Sequence, residues 1–112
     1  MIKEYKKLVR DRIPEIIREA GEEPRVRTLS QETFLGIVKI KINEEARELL
    51  QAEDREQIIN EIVDIQELID TLIREMGISK FELWELQKRK NKERGGFKKR
   101  LFLIKTETEP RP

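Results

Sequence analysis

The sequence predicts an all-α fold: a helical bundle of about four helices, with two short segments suited to a small two-stranded ribbon, completed by association with further copies. Three observations predict it. Helix start and stop residues recur in order along the chain, and apolar residues in the two longest segments fall three and four apart. Charged residues make up 42% and aromatics only 5%, so the core must be small and aliphatic. A 112-residue chain with so little apolar material buries modest area alone, which is the argument for association.

Each element follows from its punctuation. The first helix is short, "IPEIIREAG", with Pro14 in the first turn and Gly21 free to take the left-handed stop. "EPRVRTL" reads as extended, with Val26 and Leu29 its apolar residues. Ser30 then caps a second helix reaching about residue 52. Asp54 and Gln57 form a capping box for a third helix, "REQIINEIVDIQELIDTLIREM", which Gly77 ends. Ser79 and Glu82 repeat the device. The fourth helix runs from near Lys80 to about Glu93, where "RGG" breaks it. "KKRLFLIKT" is short and apolar enough for a strand pairing with "RVRTL", and the tail "ETEPRP" is expected to fray.

Composition excludes several chemistries. The chain has no Cys and no His, so disulfides, thiolate or imidazole zinc sites and Ser-His-Asp catalysis are out. Carboxylates, Lys, Arg and hydroxyls must carry any reaction. A formal charge of +1 argues against duplex nucleic acid as a partner, while leaving local basic clusters for a small phosphate ligand. No apolar run approaches the roughly 20 residues that span a bilayer, and "MIKEYKKL" lacks a secretory apolar segment, so a cytoplasmic single domain over residues 1–112 is the expectation.

Acidic residues interrupt the apolar pattern. On the second helix Phe34, Leu35, Val38, Ile42, Ala46 and Leu49 share one arc, and Glu45 falls inside it with Glu48 at its edge and Lys41 close by. On the third, Ile58, Ile62, Ile65, Ile69, Leu72 and Met76 make the expected buried stripe, bordered by Glu61 and Asp64. Each acidic pair is three residues apart and therefore adjacent on its helix. Antiparallel helices joined near Glu53 would bring the pairs face to face. Four half-buried carboxylates repel and lose hydration unless a cation lies between them, and Mg²⁺ or Mn²⁺ suits oxygen ligands. Acidic pairs at this spacing also make ordinary surface ion pairs, so residue types alone leave both readings open.

"EEARELL" followed by "NEIVDIQELI" resembles the paired acidic motif of the all-α nucleotide pyrophosphohydrolases, the MazG-like and phosphoribosyl-ATP pyrophosphohydrolase group. "KLVRDRIPEII" and "KNKERGGF" resemble flanking segments of one MazG-like branch, and the three together cover most of the chain in order. The resemblance implies a Mg²⁺-dependent hydrolase that splits a nucleoside triphosphate between its α and β phosphates. It makes Glu45, Glu48, Glu61 and Asp64 metal ligands, with Glu45 and Glu48 the first candidates for general base. Lys7, Arg10 and Asp11 become candidates for substrate contact or for bracing the acids, and Lys90, Asn91 and Arg94 for phosphate contact. Lys6, Arg12, Lys88, Arg89 and Lys92 have an ordinary surface reading. Trp84 suits packing or a subunit interface, and Tyr5 or Phe34 could stack on a base. Two alternatives stand beside this one: hydrolysis of phosphoribosyl-ATP, against which "KLVRD" speaks, and a non-enzymatic helical interaction module.

Overall fold

A computed structural model describes residues 1–110 and contains four helices: α1, Ile13–Glu19; α2, Gln31–Gln51; α3, Arg55–Glu75; and α4, Lys80–Arg94. The predicted caps form. Ser30 Oγ accepts from the Thr33 amide at 3.3 Å, Asp54 Oδ1 from the Gln57 amide at 2.8 Å and Ser79 Oγ from the Glu82 amide at 3.3 Å. These side chains satisfy amides that the first helical turn leaves without partners. Gln57 answers reciprocally, its Oε1 accepting from the Glu53 amide at 3.3 Å. At the far end of α3, Gly77 takes φ +64°, and the Ile78 amide reaches back to the Ile73 carbonyl at 2.9 Å. That left-handed stop closes the helix with carbonyls satisfied.

The chain divides into two compact units, Met1–Ile78 and a second beginning at Ser79. In the first, α2 and α3 pack together, joined by only Ala52, Glu53 and Asp54. So short a connection folds the second helix back along the first. Gln31 Nε2 accordingly donates to the Glu75 carbonyl at 3.0 Å, tying the start of α2 to the end of α3. Val38 is fully buried in the α2 face of this seam. Ile58, Ile65, Leu68 and Leu72 are half-buried on α3.

The buried stripes differ from expectation. Ile62, Ile69 and Met76 are exposed rather than buried, as is Ala46 on α2. The apolar arc of α3 is too wide for one neighbour to cover. α2 takes the half containing Ile58, Ile65, Leu68 and Leu72, and leaves Ile59, Ile62, Val63, Ile69 and Met76 open. The two-stranded ribbon is also absent, since the described residues contain no strand. Val26 is exposed in the first unit, and Leu101, Phe102, Leu103 and Ile104 are exposed in the second. Pairing these segments would set Arg25 and Arg27 against Lys98, Lys99, Arg100 and Lys105, and like charges opposed across a ladder weaken an already marginal hairpin. Residues 107–110 of the tail are exposed without regular structure, and its last two, Arg111 and Pro112, lie outside the described residues.

In the second unit α4 begins at its Ser79 cap and stops at Gly95. Trp84 is not core. It is half-exposed, tilts against Phe81 with ring centroids 6.2 Å apart, and carries the Lys88 ammonium 4.8 Å over its face.

The packing of α2 on α3 predicts unequal costs for truncation. Val38→Ala should lower the unfolding free energy by about 2 kcal/mol, through two lost methyls and the void they leave. Leu50→Ala, at an exposed position, should change it by less than about 0.5 kcal/mol. Urea titrations followed by circular dichroism compare the two.

Candidate metal-binding site

Glu45 is the single buried charged residue among those described, with 7% of its surface exposed. Its position on α2 follows from spacing: it lies seven residues after Val38, two helical turns along the same face. It stands seven residues before Ala52, and Glu61 stands seven after Asp54, so the antiparallel pair sets the two level across the seam. Asp64, one turn further along α3, joins them. Glu45, Glu61 and Asp64 each offer a carboxylate oxygen, and these atoms all lie within 4.8 Å of one another. Three residues that three-residue spacing and helix pairing bring together thus form a compact oxygen cluster. Glu48 is exposed, lies one turn beyond Glu45 on α2, and stands outside that cluster.

Cations reach part of the cluster. Arg10, from the segment before α1, places Nη2 2.6 Å from Asp64 Oδ1. Lys41 Nζ lies 3.7 Å from Glu45 Oε1 and 3.4 Å from Glu44 Oε2. Two oxygens are left over: Glu45 Oε2 and Glu61 Oε2 are both buried and have no hydrogen-bond partner. A buried carboxylate oxygen without a donor carries an unrelieved desolvation cost, which a cation held between the two would relieve. Burial raises the Glu45 pKa above its ordinary value, and the neighbouring Glu61 carboxylate pushes the same way; Glu48 and Lys41 oppose the shift. The donor set is all oxygen, acidic and half-enclosed, which fits a hard divalent cation.

Each remaining candidate has its own surroundings. Lys7 lies with its ammonium 5.2 Å over the Tyr5 ring, and Lys3 lies 5.1 Å over the same ring. Asp11 is exposed. Tyr5 is half-exposed and Phe34 half-buried on α2. Lys6 pairs with Glu4 at 3.7 Å and Arg12 with Glu15 at 3.3 Å, local contacts of solvated side chains. Lys90, Asn91 and Arg94 occupy the last turns of α4 in the second unit, all exposed. Sequence spacing names Lys41 only as a neighbour of Glu45. Its i,i+4 placement was the available signal for the ion pair. The resemblance of the N-terminal segment marks Arg10 as a candidate brace for the acids, but its particular partner, Asp64, lies 54 positions away and carries no local signal.

This acidic seam can be set against known proteins. The model of the family described as phosphoribosyl-ATP pyrophosphohydrolase matches residues 2–91. The chain belongs to that family. The phosphoribosyl-ATP pyrophosphohydrolase family lies within the MazG-like all-α nucleotide pyrophosphohydrolase superfamily, in keeping with four helices and no strand among the described residues. A protein of Mycolicibacterium smegmatis described only as uncharacterized is 47% identical over 49 residues, covering 44% of this chain and 50% of its own length. The chain thus spans about half the length of the curated relative it matches. No solved structure matches it. No helix among the described residues is long and apolar enough to cross a membrane.

The raised pKa gives the ion-free protein a signed pH dependence. The fold holds the Glu45 proton more tightly than the unfolded chain does, so raising the pH from the ordinary glutamate range through the elevated value should cost stability. Glu45→Gln removes that charge. In excess chelator the variant should be more stable than the parent at neutral pH, by on the order of 1 kcal/mol, and its melting temperature should vary less with pH across that window. Thermal melts at a series of pH values measure both effects.

Proposed function

We propose that this protein is a Mg²⁺-dependent nucleoside triphosphate pyrophosphohydrolase, with Mn²⁺ able to replace Mg²⁺, yielding nucleoside monophosphate and pyrophosphate. House-cleaning of the nucleotide pool is the cellular role that suits such chemistry. The observation that carries the reading is the pair of buried, partnerless oxygens, Glu45 Oε2 and Glu61 Oε2, inside a three-carboxylate cluster. An interaction module stabilised by salt bridges would leave those two oxygens unexplained. Membership of a family described as phosphoribosyl-ATP pyrophosphohydrolase supports the reaction class.

Glu45, Glu61 and Asp64 would hold the ion, with Glu48 joining from the exposed edge. A divalent ion bound there supplies charge neutralisation for the phosphates and a lower pKa for the attacking water. Glu48 and Glu45 are our candidates for proton acceptor. Glu48 is open to solvent, where a water can be approached, and Glu45 lies one turn before it on the same helix. Lys7, Arg10 and Asp11 are assigned to substrate, the guanidinium as a fork on phosphate oxygens and the ammonium as a point charge. Lys90, Asn91 and Arg94 receive phosphate contact on sequence resemblance alone.

Phosphoribosyl-ATP is the second reading, favoured by the description of the matching family. Both substrates break the same kind of anhydride bond. The "KLVRD" segment, resembling the MazG-like branch, places our preference with nucleoside triphosphates.

We also assign the uncovered half of α3 to a second copy of the chain. Ile59, Ile62, Val63 and Ile69 on α3, with Met76 at its C-cap, leave a mainly apolar strip interrupted by Gln66 and Asp70. Such a strip is costly in water and suits a helix bearing the same strip.

Two measurements test these assignments. Incubation with Mg²⁺ and a panel of nucleoside triphosphates plus phosphoribosyl-ATP should release pyrophosphate as first product; orthophosphate first, or no product from any member, refutes the assignment. Glu61→Gln should keep the helical circular dichroism and lower turnover by at least about a hundredfold. For the second copy, light scattering should give a mass above 13.4 kDa for the parent, falling to that of one chain for Ile62→Lys.

A further inference from the structure

The Arg10–Asp64 contact sits awkwardly with a role confined to phosphate binding. Arg10 comes from the segment before α1, reaches α3, and meets Asp64 Oδ1 at 2.6 Å, the shortest ion pair among the described residues. Asp64 is one of the three carboxylates whose oxygens converge. A cation and a metal ion therefore compete for the same acid.

Charge makes the competition specific. The three clustered carboxylates carry −3 when ionised, and Arg10 and Lys41 bring +2 to them, leaving −1. A divalent ion added with both side chains in place would turn this to +1. Lys41 is held from within α2, three-quarters covered, and bonds Glu44 as well as Glu45. Arg10 is different. Its side chain is 56% exposed, and its carboxylate partner is itself 32% exposed, so this pair lies on the solvent side of the cluster. The guanidinium has water to move into and needs no repacking to leave.

We propose that Arg10 is an exchangeable counter-cation. In the ion-free protein it neutralises Asp64 and keeps the acids from repelling one another. The incoming divalent ion takes its place, and the released guanidinium is passed to the phosphates of the nucleotide, whose negative charge then balances the site. Arg10 is thus a positioning residue before substrate binds and a phosphate contact afterwards. This rests on the proposed metal site, and it adds that metal and Arg10 oppose one another in the absence of substrate.

The test is Mn²⁺ binding to the full chain without nucleotide, by titration calorimetry, for the parent and Arg10→Gln. Releasing the guanidinium gives up its ion pair with Asp64, and the tethered charge still repels the ion from several ångströms away, together enough to alter affinity on the order of tenfold. Arg10→Gln should therefore bind Mn²⁺ about tenfold more tightly than the parent, while its KM for nucleotide rises. Arg10→Lys, which keeps the charge, should bind Mn²⁺ within about threefold of the parent. Weaker Mn²⁺ binding by Arg10→Gln would mean that Arg10 only braces Asp64 and would overturn the exchange. Unchanged Mn²⁺ affinity would overturn it too, by showing that the pair does not compete. A parent that binds no Mn²⁺ would remove the metal site itself, an outcome distinct from either.

Discussion

Everything distinctive about this protein depends on a carboxylate placed where an aliphatic side chain belongs. Glu45 continues the face that begins with Val38, and like Val38 it is buried between α2 and α3. Burial of an acid beside Glu61 and Asp64 is unfavourable on three counts: lost hydration, mutual repulsion and two oxygens without donors. The fold tolerates this because its helices are otherwise well specified. Side-chain caps fix where α2 and α3 start, and a three-residue connection fixes how they pair. Stability invested in these ends leaves the middle of the seam free to be polar.

The surrounding charges sort by how firmly they are held. Lys41 is anchored within its own helix and relieves Glu45 on one oxygen only. Arg10 arrives from a distant segment and relieves Asp64 on the solvent side. Neither touches the inner oxygens of Glu45 and Glu61. The arrangement is thereby asymmetric, wet and cationic on one flank, dry and uncompensated inside. That polarity is what a site needs if an ion is to be drawn inward and a polyphosphate kept at the mouth.

Much of this could be read from residues alone. The helix boundaries were legible because caps act locally: Ser30, Asp54 with Gln57, and Ser79 each bond an amide three residues on. The convergence of Glu45, Glu61 and Asp64 was legible because helical periodicity and a short turn leave little freedom. Periodicity failed where more than one neighbour is involved. It marked Ile62, Ile69 and Met76 as apolar-facing but could not tell a face covered by α2 from one α2 does not reach. The ribbon failed because apolarity and length suggested strands, while charge against charge was left out of account. Arg10 was legible as a brace for the acids, but not which acid it meets, because 54 residues separate it from Asp64.

The connection Ala52–Asp54 has a consequence beyond joining two helices. Glu45 and Glu61 are equidistant from it in sequence, so it works as the zero mark of a vernier. A residue inserted into either helix between the mark and its acid would advance that carboxylate by about 1.5 Å and swing it through roughly 100°, out of the seam and onto another face. Length variation in this stretch is therefore barred by geometry, whereas the segment from Gly21 to Ser30 separates no pair of clustered acids and is free to drift in length.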